Sequence, residues 1–163
     1  MRKVLFVTAL IASLTGCAGN SPYGNYSEAP AAYDKAMASD TVSHLVTMYP
    51  PALTRWNIMQ PTNDAYGKSL VVLLRGRGYS VKEFAPEATS RVVQTNQARA
   101  QAQPTHQAAL TPGVDLRYVV DSLAPAADLY RVTVMIGQQP ISRAYIPQKN
   151  GSVAAAGSWA RKE

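Results

Sequence analysis

The 163-residue sequence predicts an α+β fold, a single domain in which two helices pack on a mixed sheet. Three observations point there. Apolar residues recur at helical spacing twice before residue 78, and after Gly113 they switch to strict alternation. A short alternating stretch lies between the two helical ones and another follows them, so a strand–helix–strand unit precedes an antiparallel meander. Between the halves runs a Gln-, Ala- and Thr-rich stretch without an aromatic residue, which reads as a long disordered insert at 86–113.

The chain opens MRKVLFVTALIASLTGC. Arg2 and Lys3 give a positive start, and Val4 to Leu14 is an uncharged run of eleven mostly apolar residues. That length suits the hydrophobic region of a signal peptide and falls short of the ~20 residues that span a hydrocarbon core. Residues 1–16 are therefore expected to be a leader. Leu14-Thr15-Gly16-Cys17 closes it and resembles the bacterial lipobox, in which lipid is attached to the cysteine thiol and the chain is cut just before it. The thiol is the required nucleophile, and small residues before it let the bond enter a membrane-embedded peptidase. Cys17 is the expected lipidation site, with Leu14, Thr15 and Gly16 as its recognition sequence. Acyl burial contributes ~0.8 kcal/mol per methylene, and the three chains usual for such a cysteine anchor firmly where one alone is marginal. Ala18 stands where Asp would favour retention at the inner membrane, so the expected location is the outer membrane, facing the periplasm.

Loss of the leader leaves 14 basic against 10 acidic residues, a net charge of +4 in place of +6. Cys17 is the sole cysteine, so there is no internal disulfide, no Cys-rich zinc module and, once acylated, no catalytic thiol. Residues 17–33 read as a lipidated flexible tether. AGNSPYGNYSEAPAA at 18–32 carries one charge and no period, and fifteen such residues form a coil of roughly 20 Å.

From Asp34 to Tyr49 the spacing of Met37, Val42, Leu45, Val46 and Tyr49 predicts a helix, which Pro50-Pro51 ends. Thr54 to Gln60 alternates, with Trp56 and Ile58 on one side, and reads as a half-buried strand. After Pro61, Thr62 or Asn63 is the expected cap of a second helix, with Asp64 in its first turn. Tyr66, Leu70, Leu73 and Leu74 carry that helix to about Arg77, and Gly78 is its expected C-cap. Tyr79 to Phe84 returns as a strand, parallel to the first if both share a sheet.

Beyond the insert, alternation predicts strands over Val114–Ser122, Asp128–Ile136, Ile141–Ile146 and Val153–Trp159. Gly137 to Pro140 and Asn150-Gly151 supply the turns. The two folded stretches give about 100 residues, above the ~70–80 below which one core is hard to sustain without staples. One domain over 34–160, interrupted by the insert, is the expected organisation.

Site chemistry is sparse. His44 and His106 stand 62 positions apart, and no local metal motif includes either. The carboxylates are scattered, and neither GxSxG nor HExxH occurs. Ser43, His44 and Asp121 could meet only through the fold. The glycines of RGRG at 75–78 follow a helix, whereas phosphate-binding glycines precede one. Arginines spread one to an element lack the clustering that nucleic acid requires. The expectation is a protein without catalytic residues, metal or cofactor, and without nucleic acid as a partner.

Beside the Leu14–Cys17 box, the chain carries YPPALTR at Tyr49–Arg55, Gln60, DAYG at Asp64–Gly67 and LLRGRGY at Leu73–Tyr79. The Leu129–Tyr145 stretch with its RVTVMIG and the closing SWARKE complete a pattern that resembles the TrbH family, lipoproteins of conjugative mating-pair formation. The resemblance implies a non-enzymatic component of a type IV secretion channel that stabilises the outer-membrane complex, with Cys17 as the one functional residue carried over. It also implies other channel proteins as partners and a place in an oligomeric ring. The alternative is an envelope lipoprotein that binds peptidoglycan or a small ligand outside secretion.

Overall fold

The computed structural model describes residues 21–85, 112–123 and 129–161. The leader, the Leu14–Cys17 box, His106 and all of the expected insert except Pro112 and Gly113 lie outside the described residues. The elements run β1 (Gly24–Asn25), α1 (Ala31–Met48), a short 3-10 turn (Pro51–Leu53), β2 (Arg55–Ile58), α2 (Ala65–Gly76) and β3 (Ser80–Lys82). After the insert come β4 (Val114–Ser122), β5 (Tyr130–Ile136), β6 (Gln139–Pro147) and β7 (Val153–Arg161).

The strands form one mixed sheet in the order β3-β2-β4-β5-β6-β7, with β1 also paired to β4. β2 lies parallel to both β3 and β4, and β4 to β7 form the antiparallel meander. This is the α+β single domain that the periodicities predict.

Alternation decides which side of the sheet is covered. Trp56, Ile58, Leu116, Tyr118, Val120, Val132, Val134, Ile136, Ile141 and Tyr145 are buried against Met37, Val42, Leu45, Tyr66, Leu70 and Leu74 of the helices. The intervening residues face away from the helices. At one end of the core Trp56 packs between Tyr49 and Tyr79, and the Tyr79 hydroxyl donates to the Tyr49 carbonyl at 2.5 Å.

Three expectations need correction. The stretch read as a tether is not coil from Ser21 on: Gly24–Asn25 pairs with β4, Ser27 is buried, and α1 begins at Ala31 rather than Asp34. A two-residue strand is too short to show a period, so the composition alone spoke. Asp64 is itself the N-cap of α2, accepting the Gly67 N–H at 2.8 Å, so neither Thr62 nor Asn63 caps it. Arg77 closes α2, and Gly78 one residue on takes φ +87°, the left-handed turn that glycine makes at least cost.

Candidate functional site

The described residues most informative about function are those that dock the N-terminal arm on the sheet. β2 pairs with β4 as far as Ile58 opposite Leu116, and β1 resumes on the same edge with Gly24 opposite Val119. Gln60 fills the gap. Its Oε1 accepts the Tyr118 N–H at 2.9 Å and its Nε2 donates to the Tyr118 carbonyl at 3.1 Å. At 2% exposed, this amide needs both partners, since a buried polar group without a hydrogen bond is costly. The Met59 N–H to the Leu116 carbonyl, at 3.0 Å, and the Tyr26 N–H to the Val120 carbonyl, at 2.7 Å, extend the ladder on either side.

Asn25 fastens the arm to α1. Its Nδ2 donates to Asp34 Oδ1 at 2.9 Å, while its Oδ1 accepts the Ser27 N–H at 3.0 Å and the Ser27 hydroxyl at 2.7 Å. Burial pushes the Asp34 carboxyl up to about 6; the Asn25 bond opposes that rise, and the Asp64 charge adds to it. Deeper in, the Tyr118 hydroxyl donates to Asp64 Oδ2 at 2.6 Å, and the Tyr66 hydroxyl shares a 2.9 Å bond with Thr41. Burial raises both phenols far above their usual range.

A second cluster ties the meander to α1. Arg143 Nη1 reaches both Asp40 oxygens at 3.0 and 2.9 Å, and the Tyr145 hydroxyl donates to Asp40 Oδ2 at 2.7 Å. Arg143 Nε also donates to the Gly157 carbonyl at 2.9 Å, where the β6–β7 register shifts and Gly157 takes φ +89°. One turn along α1 from Asp40, His44 stacks on Trp159, with centroids 5.1 Å apart and planes within 3°. Burial lowers the His44 pKa, and Arg143 adds to that against the pull of Asp40. The ring is therefore neutral at pH 7 and packs as an aromatic.

The structure separates the residues that only a fold could have joined. Asp121 sits on the helix-free face, held by Arg131 at 2.5 Å, on the opposite side of the sheet from His44 and Ser43 of α1. Arg75 of RGRG pairs with Glu83 at 2.6 Å across exposed surface. A shallow groove of about 320 Å³ opens between the ends of β2 and β3, with Asn57, Met59, Lys82, Phe84 and Asp115 in its wall. Its one internal bond, Asn57 Nδ2 to Asp115 Oδ1 at 3.2 Å, leaves no aligned acid–base pair. Among the described residues no three His, Cys, Asp or Glu side chains could hold a metal ion, and no helix is long and apolar enough to cross a membrane.

Sequence reasoning had no signal for Asn25, Gln60 or Arg143 as structural bonds, because Gln60 and Arg143 act on partners 58 and 103 positions away and Asn25 lies in a stretch without a period. The meander ends in β7, nine residues of Val, Ala, Gly, Ser, Trp and Arg with one edge paired to β6 and the other unpaired among the described residues. Comparisons with curated proteins and with solved structures return no match. A family model described as conjugal transfer protein TrbH matches residues 20–163, nearly all of the chain that follows the lipobox and every described element. The chain thus belongs to the TrbH family of conjugal transfer proteins.

Proposed function

We propose that this protein is a lipid-anchored assembly subunit of an envelope-spanning conjugative type IV secretion apparatus, stabilising its outer-membrane complex. One observation carries the reading: a Leu-Thr-Gly-Cys box ends seven residues before the first strand of a conjugal transfer family member. Cys17 carries the acyl chains, the protein faces the periplasm, and its partners are other channel subunits. The edge of β7 left unpaired among the described residues supports the reading, because such an edge offers backbone hydrogen bonds to a partner's strand. The work is mechanical, with no substrate turned over.

The test is Cys17→Ser in the full-length chain, followed by envelope fractionation and mating. Protein released from the membrane fraction, with plasmid transfer falling toward background, is the expected result. Normal transfer by the released protein would overturn the reading.

A further inference from the structure

We infer that the helix-free face of the sheet is the surface that this protein lays against a phospholipid membrane, with the helix pair turned away. The inference rests on the lipidation of Cys17 proposed above and adds an orientation to it.

The path of the arm carries the argument. Asn25, opposite Val120, points into the helix layer and bonds Asp34, so Gly24 opposite Val119 lies on the other side of the sheet. Ahead of it the chain leaves the strand line, because Gln60 and the end of β2 already occupy the edge of β4 beside Tyr118 and Leu116. Gly24 turns at φ +148°. The Tyr23 ring then lies 5.4 Å from the guanidinium of Arg117, a residue of the helix-free face. The Tyr26 hydroxyl donates to the Ser21 carbonyl and holds the arm there. Ser21 therefore approaches the body from the helix-free side.

Cys17 is four residues from Ser21, and four residues span at most about 14 Å. From the helix-free side the sheet with its side chains, ~10 Å thick, and the helix layer, another ~10–12 Å, together put the outer surface of the helices past that reach. A lipid at Cys17 draws the helix-free face, and not the helices, toward the bilayer.

The chemistry of the face fits. Tyr26 is 52% exposed and Ile146 44% exposed. Val119, Thr133, Met135 and Ala144 lie at its centre, with Arg117 opposite Met135 and Arg131 opposite Ala144. Asp121 on this face is paired with Arg131 and so repels anionic headgroups less, while Asp115 accepts a bond from the neutral Asn57 amide. Tyr23 beside Arg117, and Arg131 on the next strand, suit the headgroup layer, where an amphipathic ring and a cation both find partners.

The test uses the acylated full-length chain in vesicles of phosphatidylethanolamine and phosphatidylglycerol. Cys17 being acylated, a new cysteine is the sole free thiol. Thr133→Cys and Ala144→Cys probe the helix-free face, and Val72→Cys, on α2 at a residue 66% exposed, probes the opposite side. Each carries a fluorescent label exposed to lipid-borne and to aqueous quenchers. Labels at 133 and 144 quenched by the lipid-borne agent, with the label at 72 quenched by the aqueous one, is the expected pattern. Aqueous quenching at 133 and 144 equal to that in the unacylated Cys17→Ser background would overturn it. So would shielding of both positions from both agents, the sign of a second protein copy on this face. Flotation with the vesicles and the mass of the chain are read first. A chain without lipid contradicts the proposed anchor, whereas a lipidated, floating chain with a water-exposed face contradicts the orientation alone.

Discussion

The side-chain amide of Gln60 pairs with both backbone groups of Tyr118, at 2.9 and 3.1 Å, and stands in for the peptide unit that neither β1 nor β2 supplies. Replacing it leaves a donor and an acceptor of a central strand buried and unpaired, at ~1–3 kcal/mol each. Gln60→Leu is expected to lower stability by about 2–4 kcal/mol and to speed hydrogen exchange of the Tyr118 amide. Urea titration and exchange of the variant check both. An unchanged Tyr118 amide would show that the bond contributes nothing.

Asp34 sets a dependence on pH. Its carboxyl is held at about 6 in the fold, above its ordinary 3.8, so the folded chain keeps this proton to higher pH than the unfolded one. Its contribution to stability is greatest below about pH 4, declines between about pH 4 and 6, and is constant above. Asp34→Asn keeps an acceptor for Asn25 and removes the titration. It should therefore stabilise the protein by on the order of 2 kcal/mol at neutral pH and by little near pH 4. Urea midpoints of both proteins across that range decide the matter.

Asp40 joins α1 to the meander by accepting from Arg143 and Tyr145 together. Asp40→Ala strands a partly buried guanidinium and a phenol, and should cost about 1–3 kcal/mol. In a double-mutant cycle, Arg143→Ala added to Asp40→Ala should cost less than it does alone. Strict additivity would mean that the two charges do not interact.

Gly67 sits where α2 crosses the sheet. A methyl there would meet the Tyr118 hydroxyl, already bonded to Asp64, and Thr62 at 3.0 Å. Gly67→Ala gains helix propensity of about 1 kcal/mol, yet the clash should outweigh it and leave a net loss of about 1–2 kcal/mol. Gly76→Ala, with open space around it, should be neutral or stabilising under the same thermal melt.

Much of this fold was legible in the sequence because its elements are long relative to their periods. Val114–Ser122 shows four full alternations, and α2 repeats its apolar residues through three turns. Their types and facing sides follow from that spacing alone. The arm was not legible. Gly24–Asn25 has no period, and what holds it is a carboxyl at position 34 and a strand at 119–120. Composition rich in Gly, Ser, Asn and Pro signals coil, and those same small polar residues make the tight turn and side-chain bonds of a docked segment. The stacking of His44 on Trp159 was hidden for the same reason, since it joins two residues 115 positions apart that only the register of the sheet brings together. Cys17 and its box, by contrast, are read from sequence alone.

β4 is the strand on which everything else waits. Its partners β1 and β2 are made early in the chain, yet their edge to pair with arrives only after residue 113. Closing those contacts spans nearly a hundred residues for Gly24 and Val119, so topology delays them whatever their strength. Throughout synthesis the first half of the polypeptide thus has no template on which to complete a sheet. Under the export proposed above, a chain built this way stays threadable for longest, the state suited to a translocon.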